Sequence, residues 1–320
     1  DVIIGNPPYQ QKVGERKTET LWDKFVLKSL SILKENGYLV YVHPSGWRNI
    51  DGKFKNIQKE ILNKNLIYLE IHNEKDGLKT FNSETRYDWY ILQNSNVEST
   101  NTKIKFQDGS IYTCNVKGLE FIPNGNYDKI MSMIAKPNEE CVNVIHDYSL
   151  YETRKSWMSR TKNEEYKYPC VYTVNSKSEI TYYYSSKQHG HYGTPKFIWS
   201  NGRISSIGSY VDVNGDYGLT QFAYAIVDEP NNLCKIKEVF DSKEFRDLME
   251  LCAVGQLTVN YKVISVFKKD FWKEFNKTNV IEECKDEEEI IEIDVNPKKV
   301  VKKSKIVKPK KLLIIEEDEN

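Results

Sequence analysis

Apolar residues cluster in short groups over the first 95 positions, and the spacing within each group differs. Val2, Ile3 and Ile4 are consecutive and end at Gly5, a run that predicts a buried parallel strand rather than an alternating, half-exposed one. Leu21, Phe25, Leu27, Leu30 and Leu33 lie near helical spacing, so an amphipathic helix is expected over residues 20–35, stopped at Asn36-Gly37. A strand is expected over 38–43, a second helix over 54–62 with Phe54, Ile57, Ile61 and Leu62 on one side, and strands over 67–71 and 88–93. Strand–helix–strand repetition implies a parallel sheet with right-handed crossovers. The predicted class is α/β, with residues 1–95 forming half of a doubly wound sheet that binds ligands at its strands' carboxyl ends.

From about residue 96 the chain turns polar and rich in Asn and Ser, with short strands such as 104–106. Residues 203–224 read as strands joined by the turn Asn214-Gly215-Asp216. A helix is expected over 242–251, with Phe245, Leu248, Met249 and Cys252 as its apolar face. Beyond about 276, an acidic block (Glu282, Glu283, Asp286 to Glu289) precedes a lysine-rich one (Lys298 to Lys311), the pattern of a solvated, disordered tail. Three segments follow: 1–95, 96–275 and 276–320.

Composition narrows the classes. A formal net charge of zero with 39% hydrophobic residues suits a folded core rather than a disordered chain, and by itself does not argue for nucleic acid. No apolar run reaches the ~20 residues of a membrane span, and nothing resembles a signal peptide, so a cytoplasmic protein without membrane contact is expected. The six cysteines are scattered with no C-x-x-C pair, which argues against structural zinc and for reduced thiols. His189-Gly190-His191 is too sparse for a metal site. Asp212-x-Asn214-x-Asp216 starts like a calcium loop but has Tyr217 and Ala223 where glycine and glutamate belong, so a turn is expected and no metal.

The chemistry concentrates at Asn6-Pro7-Pro8-Tyr9, directly after the first strand. An exocyclic amine on a heterocycle is a poor nucleophile because its lone pair is delocalised into the ring. A site that attacks with it should accept hydrogen bonds from both N–H groups while the nitrogen turns tetrahedral. The Asn6 amide oxygen and the Pro7 carbonyl, held by a rigid Pro-Pro turn, are such acceptors, and Tyr9 can lie against the ring.

These residues resemble the Asn-Pro-Pro-Tyr class of adenine-N6 DNA methyltransferases of restriction–modification systems, and more closely the Eco57I-like branch. Gln10, the helix from Leu21-Trp22, the turn at Gly37, His43-Pro44-Ser45-Gly46-Trp47 and Thr85 to Leu92 carry the resemblance, which covers residues 1–95 well and the remainder loosely. It implies the C-terminal half of a Rossmann-like methyltransferase sheet, followed over 96–275 by an α+β DNA target-recognition domain. It further implies S-adenosylmethionine as methyl donor, Asn6 contacting both cofactor and target amine, and stacking of a flipped adenine on Tyr9, with Tyr87 and Trp89 beside it. The Gly-rich loop and ribose-binding acid of such folds are not found in the sequence, so a fragment lacking its upstream cofactor-binding half, and inactive alone, is expected. A nuclease, fused or as a partner, belongs to the same implication. The alternatives are an RNA or protein-glutamine methyltransferase and a noncatalytic DNA-specificity subunit.

Residues 151–210 hold nine Lys or Arg against four Glu and no Asp, interleaved with aromatics. Basic side chains reach phosphates and aromatics stack on bases, so Arg154, Lys155, Arg160, Lys187, Lys196 and Arg203 are expected to contact double-stranded DNA.

Overall fold

The chain begins with β1 (Val2–Gly5), forms a short hairpin of β2 (Gln10–Lys12) and β3 (Thr18–Thr20), and enters α1 (Trp22–Ile32). It continues through β4 (Tyr38–Pro44), a 3₁₀ turn at Ser45–Arg48, α2 (Lys55–Asn63), β5 (Lys64–His72), α3 (Glu74–Phe81), β6 (Tyr87–Asn96), β7 (Thr102–Lys105) and β8 (Ile111–Cys114). This computed structural model describes residues 1–275 apart from 16, 51 and 256, all within one unit, Asp1–Glu283. The charged tail expected over 276–320 lies outside the described residues.

Six strands form one sheet in the order β1-β4-β6-β5-β7-β8. β1 is parallel to β4, with Gly5 opposite Tyr41, and β5 is parallel to β7. β6 is antiparallel to both β4 and β5, and β8 to β7. Four strands therefore run one way and two the other, which corrects the parallel sheet expected from the strand–helix repeat. The reason is local: α3 returns the chain beside β5 in the opposite direction, inserting β6 between β5 and β4. The sheet also runs past residue 95, because β7 and β8 belong to it.

β1 is not buried. Among the described residues it is an edge strand, and Val2 and Ile4 are 59% and 76% exposed. An unbroken apolar run marks two apolar faces, and here only the Ile3 face is covered, where it packs on the core. The α1 face also departs from expectation. Trp22, Val26, Ser29 and Leu30 point inward with Leu33, while Phe25 and Leu27 are exposed, because 22, 26, 29, 30 and 33 follow the 3.6-residue period and 25 and 27 fall off it. Ile57, Ile61 and Leu62 of α2 join this core with Leu39, Leu66, Leu69, Ile71 and Leu92 of the sheet. Each such buried side chain contributes ~1.5–3 kcal/mol.

The rest of the described chain runs α4 (Tyr127–Met133), β9 (Asn143–Ile145), β10 (Met158–Ser159), β11 (Tyr168–Val174), β12 (Ile180–Ser185), β13 (Lys196–Ser200), β14 (Ser209–Asp212), β15 (Gly218–Leu219), β16 (Ala223–Val227), α5 (Pro230–Asp241), α6 (Lys243–Cys252) and α7 (Tyr261–Ser265). It holds two four-stranded sheets, β14-β13-β16-β9 and β10-β12-β11-β15. The whole is a mixed α/β arrangement with several sheets. Strands β14 and β15 flank the Asn214-Gly215-Asp216 turn but lie in different sheets, so they form no hairpin. α6 agrees with its sequence signals: Ser242 accepts from the Phe245 N–H as N-cap, and Phe245, Leu248, Met249 and Cys252 are buried.

Candidate active site

The parallel strands β1 and β4 end side by side, and a cleft of about 580 Å³ opens at their carboxyl ends. Gly5 makes the approach possible: a Cβ there would sit 3.0 Å from the Tyr41 ring. The two prolines then fix the turn, and the Leu21 N–H donates to the Tyr9 carbonyl at 3.0 Å, pinning the turn to the start of α1. Residues 6–10 form one wall of the cleft, Thr20, Trp22, Pro44 and Phe54 another, and Phe81, Ser83 and Thr85 close it from the α3 side. Asn6 is exposed at this cleft and Pro7 is buried. Neither the Asn6 carboxamide nor the Pro7 carbonyl accepts a hydrogen bond among the described residues.

Among the described residues, no charged side chain lines the cleft. That lining suits a planar, uncharged heterocycle. It supplies no carboxylate for a ribose diol and no counter-charge for an amino-acid group, so it does not by itself hold S-adenosylmethionine. Among the lining residues, Asn6 is the one assigned by the resemblance to meet both cofactor and acceptor.

The three residues expected to stack on a base are placed differently. Tyr9 lines the cleft, edge-on to Phe81 with ring centroids 6.0 Å apart. Its hydroxyl is buried without a partner, and burial pushes its pKa up to about 12, so it stays neutral. Tyr87 is buried, stacked on His72 at 4.3 Å and bonded to the Thr80 hydroxyl at 3.2 Å; it supports Phe81 from behind at 4.9 Å. Trp89 is half-buried against Tyr68 at 4.9 Å and does not line the cleft. The aromatic surfaces the cleft offers beside Tyr9 are Trp22, Phe54 and Phe81.

Beneath the cleft, Trp22 stacks on buried His43 at 4.3 Å. The His43 Nδ1 lies 3.0 Å from the Pro44 carbonyl, which can only accept, so Nδ1 carries the proton and Nε2 accepts from the Tyr90 hydroxyl at 3.1 Å. Burial drops its pKa to about 4, so the ring is a neutral support at neutral pH.

The turn after β4 is anchored by a buried ion pair. Arg48 Nε donates to the Asp88 carboxylate at 2.7 Å and Trp47 Nε1 donates to the same oxygen at 2.9 Å; both Arg48 and Asp88 side chains are fully buried. The guanidinium also donates to the Ile122 carbonyl at 2.7 Å and the Asn124 side chain at 2.9 Å, while Asn124 donates to the Ala253 carbonyl at 3.0 Å. Thus the Pro44-Ser45-Gly46-Trp47 motif is tied both to β6 and to the end of α6. Sequence reasoning missed this pair, although an aspartate flanked by apolar and aromatic residues in a strand was its signal.

Sequence reasoning also missed α3, which carries Phe81. Its mark is the capping box of Asn73 and Asp76, present in both directions. Gly77 lies in its interior because the 83–85 loop packs on it: a Cβ would sit 2.0 Å from the Thr85 carbonyl oxygen.

Of the expected DNA contacts, Arg154, Arg160, Lys187 and Arg203 are exposed and Lys155 is half-buried. Arg154 and Lys155 share Glu152, Arg160 donates to the Tyr183 hydroxyl at 2.6 Å, and Lys155 and Lys187 lie over the Trp157 ring at 5.8 and 4.6 Å. Lys196 is a correction. It is fully buried in β13, pairs with Asp212 at 2.6 Å and donates to the carbonyls of His191 and Thr194, so it reaches no phosphate. A lysine inside an apolar strand needs such partners, and Asp212 provides them while also accepting from Asp216 and Tyr217 N–H groups. That bonding makes the aspartate-rich segment a turn, and no group of three or more metal-ligating side chains exists among the described residues. Nor does any helix among them have the length and apolarity to cross a membrane.

Solved structures similar to this chain include restriction–modification enzymes. A type I restriction–modification system matches at 19% identity over 32% of this chain and 22% of that one, with a TM-score of 0.26. The type IIL enzyme MmeI, solved in complex with DNA, matches at 11% identity over 83% and 45%, with a TM-score of 0.42. A nuclease-deletion mutant of the type ISP enzyme LlaGI, in complex with a DNA substrate mimic, matches at 10% identity over 80% and 39%, with a TM-score of 0.38. This chain spans less than half the length of each. No curated protein matches it. Residues 1–81, which include the Asn6–Tyr9 turn and all of the cleft lining except Ser83 and Thr85, match the family described as Eco57I restriction-modification methylase.

Proposed function

We propose that this chain carries the acceptor side of a restriction–modification DNA methyltransferase, which transfers a methyl group from S-adenosylmethionine to N6 of an adenine flipped out of the duplex. One observation carries the reading: two hydrogen-bond acceptors, the Asn6 amide and the Pro7 carbonyl, stand unpaired among the described residues in an uncharged aromatic cleft, inside the segment that matches the methylase family.

A base inside a duplex cannot reach the cleft, and extruding it costs a few kcal/mol. Stacking on the Tyr9 ring, at ~1–3 kcal/mol per base, offsets that cost, with Phe81 set nearly at right angles to it. Asn6 and Pro7 then accept from the two amine N–H groups, which draws the nitrogen lone pair out of the ring and stabilises the positive charge that develops there. S-adenosylmethionine, when bound, supplies an electrophilic methyl group. The exposed Arg154, Arg160, Lys187 and Arg203 are proposed to reach phosphates, with Lys155 beside them.

The test offers the intact protein labelled S-adenosylmethionine with duplex DNA, structured RNA or protein extract as acceptor. Label in N6-methyladenine of DNA is expected. Label in RNA or on glutamine would overturn the substrate, and DNA binding without any transfer would favour a specificity subunit.

A further inference from the structure

A second cavity, of about 370 Å³, lies away from the first and shares no lining residue with it. Three tyrosine rings surround it: Tyr148, Tyr224 and Tyr261. All three pack on the His146 imidazole, with centroids at 4.1, 4.6 and 4.3 Å, and Tyr224 and Tyr261 stack on each other at 5.1 Å. The rings are therefore held in place around a common post. Tyr148 is the loose one, 62% exposed at the rim.

Between the rings the cavity presents Asn49, Asn201 and Thr258. Asn49 uses its side-chain oxygen on the Ile50 N–H, which leaves its NH₂ as donor. The Asn201 carboxamide and the Thr258 hydroxyl make no side-chain hydrogen bond among the described residues. Among the described residues, no Lys, Arg, Asp or Glu lines the cavity. Aromatic rings combined with neutral donors and acceptors suit a planar uncharged heterocycle and not a phosphate, and the Lys262 ammonium over the Tyr261 ring disfavours a second cation.

Among the described residues charge stands around the lining, and the Lys262 ammonium lies 5.9 Å from the Tyr261 ring centroid. Arg203 is exposed, and its backbone bridges to Thr258 of the lining. Tyr148 also lines an adjoining cavity with Phe222, Arg154 and Glu152, the last two paired with each other. A neutral ring-binding pocket with exposed arginines near it, Arg203 and the Glu152-paired Arg154, suits a nucleic-acid strand whose base turns inward while its phosphates stay out.

From this we infer that the cavity bounded by Tyr148, Tyr224, Tyr261, Asn49, Asn201 and Thr258 binds one unstacked nucleobase of a strand whose phosphates pass Arg203 and Arg154. This is a second base site, separate from the Tyr9 cleft, and it rests on the reading of the chain as a DNA-binding protein.

The test uses the 320-residue chain and a short single-stranded oligodeoxynucleotide carrying one 5-iododeoxyuridine. After irradiation, crosslinks are expected at Tyr148, Tyr224 or Tyr261. Tyr148→Ala should weaken binding by about 5- to 150-fold, the range worth one base–aromatic stack, while Tyr148→Phe keeps it. An abasic nucleotide at the labelled position should weaken wild type by a similar factor and Tyr148→Ala little further. Additive losses from the abasic nucleotide and Tyr148→Ala would overturn the inference. Crosslinks confined to the Tyr9 cleft would overturn it too, while leaving the methyltransferase reading intact. A chain that binds no oligonucleotide would overturn it as well, and the methyl-transfer assay then decides separately whether the proposed function also falls.

Discussion

Replacing Asp88 with alanine should be among the most damaging single changes to stability in this protein. The carboxylate oxygen that binds Arg48 Nε at 2.7 Å also binds Trp47 Nε1 at 2.9 Å, and the Arg48 and Asp88 side chains have no solvent exposure. Its loss leaves two buried N–H donors unpaired, each worth ~1–3 kcal/mol, one of them on a charged group. The guanidinium keeps its bonds to the Ile122 carbonyl and Asn124, so its charge stays buried without a counter-ion. The sum is ~2–6 kcal/mol, which brackets the ~3–5 kcal/mol usual for removing one partner of a buried pair. Asp88→Asn keeps an acceptor oxygen and should lose less, about 1–3 kcal/mol. Urea unfolding of the 320-residue chain measures both. The double variant Arg48→Met/Asp88→Leu removes both charges and should recover much of the loss, since apolar pairs of similar volume replace buried ion pairs at little cost. An Asp88→Ala loss below ~1 kcal/mol, or a double variant no better than the single, would refute the assignment of the penalty to an orphaned charge.

Other consequences follow from the same geometry. Gly77→Ala would press a Cβ against the Thr85 carbonyl oxygen, so a loss of ~1–3 kcal/mol is expected, together with a shifted Ser83–Thr85 wall read as weakened base stacking in the cleft. His43 has a folded pKa of about 4, below its ordinary 6.5, so the unfolded chain takes up a proton first as pH falls. Stability attributable to His43 is therefore present above pH 6.5 and is lost progressively down to about 4, by ~3 kcal/mol in all. His191 is lowered to about 4 by burial and adds in the same window, so His43→Gln should flatten, not abolish, the acid slope in urea titrations. Lys187→Ala and Arg203→Ala should each reduce the salt slope of DNA binding by ~1, whereas Lys196→Met should leave that slope alone and lower stability by ~3–5 kcal/mol.

What could be read from the sequence was what local chemistry determines. The Asn6-Pro7-Pro8-Tyr9 turn was legible because prolines fix backbone and the apolar run before it marks a strand, and the structure sets it at a cleft between β1 and β4. α6 was legible because its cap and its 3.6-residue stripe coincide. The direction of β6 was not, since reversal depends on how α3 packs and no residue within the strand encodes it. Exposure was equally illegible: Tyr87 reads as a stacking ring and is buried under Phe81, and Lys196 reads as a phosphate contact and is buried against Asp212. A basic or aromatic residue announces its chemistry, whereas its partner lies 16 positions away along the chain for Lys196 and 40 for Arg48. Long-range pairing of this kind is set by tertiary contact.

The most direct test of the acceptor site is Asn6→Ala in the intact protein, with methyl transfer to duplex DNA and DNA affinity measured side by side. The Asn6 side chain is exposed and makes no hydrogen bond among the described residues, so its truncation should leave the fold unchanged, and DNA affinity, dominated by phosphate contacts, should fall far less than the transfer rate. Removing one of two groups that stabilise the developing charge should lower the transfer rate by ~10²–10³. That loss, with N6-methyladenine as the wild-type product, is the predicted result. Transfer that survives Asn6→Ala undiminished, on any acceptor, would contradict the assignment of this turn as the place where the amine is held.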